Sequence, residues 1–195
     1  MWKLTIAPDL EPMIASVTTN EELDRFPYGM ALWPSAIGLA EYIAEQRELV
    51  TGRQILELGC GAGLSGIVAA SAGGDVTQTD YLSDILTLAT NNGISNGIQT
   101  RIETLDWTQG FTGEPFDLVI GADVLYERPL HHHLFTLFPK LIKPGGEIWI
   151  SDPQRPASQD FFDRCDSAGW KTSVEYREVM WQGKITEIVI YVLTR

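Results

Sequence analysis

The chain has 195 residues, enough for one sizeable α/β core and little for a second domain. Hydrophobic residues make up 44% and charged residues 21%, and no apolar run approaches the ~20 residues that span a bilayer. The net charge of −12 argues against nucleic-acid binding, which depends on Lys and Arg. Because the N-terminus lacks the apolar core of a signal peptide, we expect a cytoplasmic protein with no membrane partner.

The two cysteines agree with that compartment. Cys60 lies inside a glycine-rich loop, where a disulfide would be awkward, and no paired spacing suggests zinc. We therefore expect Cys60 and Cys165 to be free thiols.

Residues 1–34 carry turn-forming residues in "APDLEP" and "FPYG". We expect them to form an N-terminal extension that packs over the active site, and residues 35–195 to form the main domain.

Helical stretches and apolar runs then alternate along the chain. Helices are predicted at 34–49, 64–73, 83–97, 128–143 and 158–169, with a capped start at Ser83 or Asp84. Strands are predicted at 53–59, 75–80, 100–106, 116–124 and 147–152. This alternation predicts an α/β fold with a doubly wound, mostly parallel sheet.

The last part of the chain departs from this pattern. Residues 170–181 and 184–194 are two β-rich runs joined by "QG", which predicts an antiparallel hairpin. The complete sheet should then have seven strands, and its terminal hairpin is unlike the usual NAD-binding domain.

The segment "ILELGCGAGLSG" at 55–66 follows the first strand and fits two cofactor fingerprints. Gly59, Gly61 and Gly63, preceded by Glu57, match the pattern of S-adenosylmethionine sites. Gly61 and Gly63 with Gly66 match the G-x-G-x-x-G of dinucleotide sites. In either case the glycines let the backbone turn tightly and a ligand approach closely.

Charge favours S-adenosylmethionine. A carboxylate at Glu57 suits the positively charged methionine part of that cofactor, whereas it would repel the pyrophosphate of NAD. Asp80, at the end of the second strand, can bind ribose hydroxyls of either cofactor. Asp106 offers a polar contact to an adenine amino group, and Trp107 offers a stacking surface.

These segments resemble the seven-strand S-adenosylmethionine-dependent methyltransferases. Within that family the chain is similar to the branch with protein-lysine methyltransferases, among them the enzymes that modify the electron-transfer flavoprotein β subunit. The likeness rests on "LWPSAIGLAEYI", "ILELGCGAGLSGI", "LDW", "FDLVIGADVLYE" and the paired Asn92 and Asn96. The short "SDPQRP" at 151–156 is similar to a D-P-x-R-P stretch of the flavoprotein-modifying enzymes.

The resemblance implies roles for individual residues. It places Asp123 and Tyr126 of the D-x-x-Y motif at the reacting centre, as the catalytic residues. Together with the charge argument, it predicts a cofactor site made of Trp33, Glu57, Gly59, Gly61, Gly63, Asp80, Asp106, Trp107 and Ala122.

The implied reaction is methyl transfer to a lysine side chain of a protein. Desolvation would help the amine lose its proton, and Asp123 would accept a hydrogen bond that orients it. The alternatives are a small-molecule N-methyltransferase of the same fold, an NAD-binding oxidoreductase, and a non-catalytic cofactor-binding module. We expect a monomer.

Three consecutive histidines, His131, His132 and His133, could suggest a metal site. On a helix, however, successive side chains point about 100° apart and cannot converge on one ion. We therefore expect no metal.

Overall fold

A computed structural model describes residues 2–7 and 27–195. Much of the predicted N-terminal extension, residues 8–26, lies outside the described residues. No helix in the described part is long and apolar enough to cross a membrane. The cytoplasmic location, the monomeric state and the division at residue 34 stay predictions.

A seven-stranded sheet with the order β3-β2-β1-β4-β5-β7-β6 forms the centre of the molecule. Its strands are β1 (Gln54–Leu58), β2 (Asp75–Asp80), β3 (Arg101–Thr104), β4 (Phe116–Ala122), β5 (Ile142–Asp152), β6 (Lys171–Trp181) and β7 (Lys184–Thr194). The first five strands pair in parallel, whereas β7 is antiparallel to both β5 and β6. The predicted fold class and terminal hairpin are confirmed.

Helices cover both faces of this sheet. They are α1 (Pro34–Glu45), α2 (Arg47–Val50), α3 (Leu64–Ser71), α4 (Ser83–Ser95), α5 (His131–Leu141) and α6 (Pro156–Ser167).

The core has one layer on each face because successive strand residues point to opposite sides. Leu118 and Ile120 of β4 pack with the apolar side chains of α1 and α3. Val119, between them, packs with those of α5 and α6. Burial on both faces explains why these strands are continuous apolar runs in the sequence.

Several boundaries differ from the sequence prediction. The helix expected over 34–49 is divided at Gln46, whose φ of −91° and ψ of 31° are not helical. The helix α4 has Leu82 at its N-cap and no side-chain cap, so the cap expected at Ser83 or Asp84 is wrong. The strand β5 starts at Ile142 instead of residue 147, and Pro144, Gly145 and Gly146 lie within it, where its register with β4 shifts.

The described parts of the N-terminal region lie in two places. Residues 2–7 run beside α4: Asn92 exchanges hydrogen bonds with the backbone of Thr5, and Asn96 does so with that of Lys3. Residues 28–33 reach the carboxyl ends of the parallel strands. The fold therefore gathers a glycine loop, three strand ends and part of the N-terminal region at one edge of the sheet.

Candidate active site

A cavity of about 320 Å³ lies at this edge of the sheet. Its walls include every residue that the sequence analysis assigned to a site: Trp33, Glu57, Gly59, Gly61, Gly63, Asp80, Asp106, Trp107, Ala122, Asp123 and Tyr126. Their proximity follows from the parallel sheet, in which the carboxyl ends of neighbouring strands meet. Their individual roles remain predictions.

The glycine loop between β1 and α3 requires its glycines. Gly59, Gly61 and Gly63 have φ values of 56°, 52° and 85°, in the left-handed region that other residues rarely adopt. A Cβ on Gly61 would also lie 3.2 Å from the carbonyl oxygen of Gly29. The loop and the segment before α1 therefore pack closely at the cavity wall.

A buried polar pair supports the loop from below. Gln78 of β2 donates its side-chain amide to Glu57 Oε2 (2.6 Å) and to the carbonyl oxygen of Gly63 (3.1 Å). A Cβ on Gly66 would lie 2.4 Å from Glu57 Oε2, so glycine leaves room for this carboxyl group. Burial raises the pKa of Glu57 to about 7. Gln78 was not singled out from the sequence, because a glutamine within a strand carries no motif.

Two further carboxylates have different surroundings. Asp80 ends β2 and accepts hydrogen bonds from the backbone N–H of Leu82 (3.2 Å) and Gly61 (3.5 Å). Burial raises the pKa of Asp80 above its ordinary value. Asp106 is exposed, and hydrogen bonds from Thr108 lower its pKa. Both residues line the cavity, Asp80 at the end of β2 and Asp106 in the segment after β3, where the nucleoside part of a cofactor was expected.

Aromatic side chains form much of the remaining wall. The Trp33 indole N–H donates to the carbonyl oxygen of Tyr28 (3.0 Å). The rings of Tyr28 and Tyr126 meet edge to face with centroids 5.7 Å apart. Tyr28 and Tyr81 line the cavity too but were not predicted, although "FPYG" and "QTDY" placed them beside recognised positions.

Asp123 follows β4 and is held at the cavity wall by its backbone and side chain. Its φ of 59° is left-handed, and its N–H donates to the carbonyl oxygen of Ser151 (2.8 Å). One carboxylate oxygen, Oδ1, accepts from Arg155, and the other, Oδ2, lies 3.5 Å from the Ser35 hydroxyl. Burial raises the pKa of Asp123 while the Arg155 guanidinium acts to lower it.

Ser65, in the first turn of α3, supplies a further test of cofactor fit. The residue is 1% exposed and lines the cavity, and its hydroxyl has no hydrogen-bond partner among the described residues. A hydroxyl at a helix N-terminus beside a glycine loop suits a carboxylate ligand. This arrangement fits the amino-acid part of S-adenosylmethionine, with Asp80 and Asp106 at the nucleoside end.

Comparison with known proteins decides which fingerprint applies. A profile described as lysine methyltransferase matches residues 14–168. The chain belongs to the lysine methyltransferase family. It is 33% identical to EEF1A lysine methyltransferase 3 of Mus musculus over 76% of this chain and 66% of that protein. It is also 32% identical to histone-arginine methyltransferase METTL23 of Rattus norvegicus, over 77% of this chain and 70% of that protein.

The branch identified in the sequence analysis is also represented among the relatives. Electron transfer flavoprotein β-subunit lysine methyltransferase of Danio rerio is 29% identical over 73% of this chain and 57% of that protein. The resemblance to this lysine methyltransferase family is therefore confirmed, and the chain is a methyltransferase whose cofactor is S-adenosylmethionine.

Solved structures agree on the fold. Magnesium protoporphyrin IX methyltransferase of Synechocystis, solved with bound S-adenosylmethionine, aligns with a TM-score of 0.62 at 17% identity, covering 95% of this chain and 98% of that chain. The ribosomal protein L11 methylase of Lactobacillus delbrueckii subsp. bulgaricus aligns with a TM-score of 0.59 at 20% identity, covering 82% and 78%.

The three histidines lie at and beyond the start of α5. The His131 Nε2 atom is 2.9 Å from the carbonyl oxygen of Leu125, and the rings of His132 and His133 contact each other. Within residues 2–7 and 27–195 there is no group of three or more possible ligands that could hold a metal ion.

Proposed function

We propose that this family member methylates the ε-amine of a lysine side chain in a protein substrate, with Asp123 and Tyr126 as its catalytic residues. The observation that carries the proposal is the unequal use of the two carboxylate oxygens of Asp123 among the described residues. Its Oδ1 atom accepts a hydrogen bond from Arg155, whereas the one partner of Oδ2 within residues 2–7 and 27–195 is the Ser35 hydroxyl, at a long 3.5 Å. That oxygen can accept one N–H from an amine and orient its lone pair.

The cofactor and the protein residues would have different roles in the reaction. When bound, S-adenosylmethionine supplies a methyl group activated by a sulfonium cation, so the protein needs no nucleophile of its own. The loop glycines, Ser65, Asp80 and Asp106 would hold the cofactor. Asp123 and the aromatic wall would position the acceptor and exclude water.

A lysine amine must lose a proton before it can react, since its ordinary pKa is about 10.4. Removal from water disfavours the ammonium form, and the rings of Tyr28, Trp33 and Tyr126 provide such surroundings. Burial also raises the pKa of Tyr126, which therefore remains a neutral hydroxyl beside the acceptor. The proton can leave to water at the cavity mouth.

Geometry favours lysine over arginine as the acceptor. A guanidinium is recognised best by a carboxylate with both oxygens available for two parallel bonds. Asp123 offers one oxygen, which suits one N–H of a primary amine and leaves the nitrogen lone pair for the methyl group. Tyr126 and Tyr81 are 44% and 48% exposed, so a side chain of a protein substrate can reach the cavity mouth.

The test is methyl transfer from labelled S-adenosylmethionine to heat-treated lysate proteins, followed by acid hydrolysis and separation of the amino acids. We expect the label in methyllysine. Label in methylarginine or methylhistidine would contradict the proposal. Label confined to small molecules would favour the alternative of a small-molecule N-methyltransferase.

Asp123→Asn is the variant for this assay. Asn tolerates the left-handed conformation at this position and keeps the size of the side chain, unlike Ala. We expect transfer to fall about 10²–10⁴-fold while the affinity for S-adenosylmethionine is retained. Transfer at the wild-type rate would exclude Asp123 from catalysis.

A further inference from the structure

Arg155 is outside the cavity yet contacts the residue we assign to its chemistry. It lies in "SDPQRP" as the N-cap residue of α6, and it reaches Asp123 from beyond the cavity lining. The same Nη1 atom that donates to Asp123 Oδ1 also donates to Asp152 Oδ2 (3.1 Å). One guanidinium therefore joins the ends of two neighbouring strands, β4 and β5.

Asp152 fixes Arg155 at two points. Besides the guanidinium contact, Asp152 Oδ1 accepts the backbone N–H of Arg155 at 2.8 Å. Asp152 is fully buried, whereas the Arg155 side chain is 32% exposed. A buried carboxylate that holds both the main chain and the side chain of one residue leaves the guanidinium little freedom.

We propose that Arg155, held by Asp152, is a positioning residue for methyl transfer that fixes Asp123 through Oδ1 and leaves Oδ2 to accept from the acceptor amine. This inference rests on the proposed role of Asp123. Because Arg155 occupies only Oδ1 from outside the cavity, it does not compete with an acceptor for the other oxygen.

The groups around Asp123 show why a cation is needed there. Asp152 faces it from β5 and Arg155 from α6, while α1 contributes only the hydroxyl of Ser35. Farther along the cavity wall lie Asp80, Tyr126 and Glu127. Burial and the charge of Asp152 both raise the pKa of Asp123, and Arg155 is the cation that opposes them. Without it, two buried carboxylates would meet and tend to share a proton.

Arg155→Met tests the proposal, and Arg101→Met is its matched control. Arg101 pairs with Asp75 (2.8 Å) at the opposite edge of the sheet, and both side chains are about half exposed, 51% and 52%. We expect Arg155→Met to lower kcat about 10²-fold near neutral pH, because the carboxylate is misplaced or protonated. The acid limb of the kcat profile should move to higher pH, with the KM for S-adenosylmethionine unchanged. Arg155→Lys should restore part of kcat and the position of the limb.

A second readout does not depend on the acceptor. The pKa of Asp123, followed by carboxyl ¹³C NMR and assigned with Asp123→Asn, should rise in Arg155→Met and stay unchanged in Arg101→Met. If wild-type enzyme transfers nothing to lysine but this pKa rises, the proposed function fails and the hold of Arg155 on Asp123 stands. If wild-type enzyme is active and Arg155→Met leaves kcat and its acid limb unchanged, the positioning role is overturned.

A second variant tests the role of Arg155 if Arg155→Met is too unstable to measure. If Arg155→Met does not fold, the kcat profile and the pKa of Asp123 are measured in Arg155→Gln, because glutamine keeps a neutral donor for Asp152. An unchanged pKa of Asp123 in folded Arg155→Gln would overturn the proposal.

Discussion

Gly61 is required for two reasons: its backbone is left-handed, and the cavity wall leaves no room for a side chain. A comparison with Gly97, which has only the first constraint, distinguishes the two effects. Gly61 and Gly97 both have left-handed φ values, 52° and 70°, so replacement by Ala costs each about 1–2 kcal/mol in the backbone. Only at Gly61 would the new Cβ meet another residue, the Gly29 carbonyl oxygen at 3.2 Å. Gly97 has nothing within 4 Å.

We therefore expect Gly61→Ala to weaken S-adenosylmethionine binding about tenfold or more, equivalent to about 1.4 kcal/mol, because the wall must shift. Gly97→Ala should lower Tm but keep the wild-type affinity. Calorimetric titration of both variants checks this, and equal affinities in the two would show that the cavity wall tolerates the added methyl group.

Glu57 makes the stability of the fold depend on pH. Its pKa is about 7 in the folded protein, against an ordinary value of 4.5. Between these two pH values the folded state therefore binds more protons than the unfolded state. The contribution of this carboxyl group is fully present below pH 4.5 and is lost as the pH rises through about 7.

Glu57→Gln should remove this dependence, because the amide can still accept from Gln78 without a buried charge. Relative to wild type, the free energy of unfolding of Glu57→Gln should increase by about 2 kcal/mol between about pH 5.5 and 8. Urea unfolding of both proteins at the two pH values measures it. A difference that does not change with pH would mean that Glu57 is ionised throughout.

The helix α4 holds the described N-terminal segment, residues 2–7, by hydrogen bonds. Asn92 is 1% exposed, and its side chain makes three hydrogen bonds with described residues, two with the backbone of Thr5 and one with the carbonyl oxygen of Ala62. Its neighbour Asn91 is exposed on the same helix. The two asparagines thus offer a comparison within one element.

Asn92→Ala should lower the free energy of unfolding by about 2–3 kcal/mol, since buried backbone groups lose their partners, and Asn91→Ala should change it by less than about 0.5 kcal/mol. Denaturant unfolding gives both values, and proteolysis should cut the N-terminal segment faster in Asn92→Ala. Similar losses for the two variants would refute the fastening role.

The helices and strands also show how much of the fold the sequence could predict. Strands such as β4 were recognisable because burial on both faces requires a continuous apolar run, and the hairpin because two β-rich runs flank Gln182 and Gly183. The break at Gln46 has no Gly or Pro to mark it in the sequence. In β5, Pro144, Gly145 and Gly146 do mark an irregular segment, but the sequence does not show that pairing with β4 continues on both sides of it.

Within the candidate site, sequence motifs identified the glycines and the acidic residues at the strand ends. The spacing of the glycines indicates a tight turn, and acidic residues that follow parallel strands indicate a binding crevice. Gln78 and Arg155 were missed as site residues because their importance comes from partners far away in the sequence, and Ser65 because its burial without a hydrogen-bond partner among the described residues is visible only in the fold. Arg155, for example, meets Asp123 only when β4 and β5 lie side by side.

Over the whole molecule, acidic residues outnumber basic ones by 26 to 14. If the substrate presents its lysine on a basic surface, this charge should accelerate encounter and be screened by salt. We expect kcat/KM for such a substrate to fall about tenfold or more between about 0.02 and 0.5 M salt, with kcat unchanged at saturation. Steady-state kinetics at several salt concentrations test this, and a salt-independent kcat/KM would argue against electrostatic attraction.

The identity of the cofactor underlies the reaction, the site residues and both proposals. The most direct measurement is calorimetric titration of the wild-type protein with S-adenosylmethionine and, separately, with NAD. We predict that one S-adenosylmethionine binds per chain and that NAD gives no binding heat. Binding of NAD alone would contradict the account and would leave only the glycine loop and Asp80 in their assigned places.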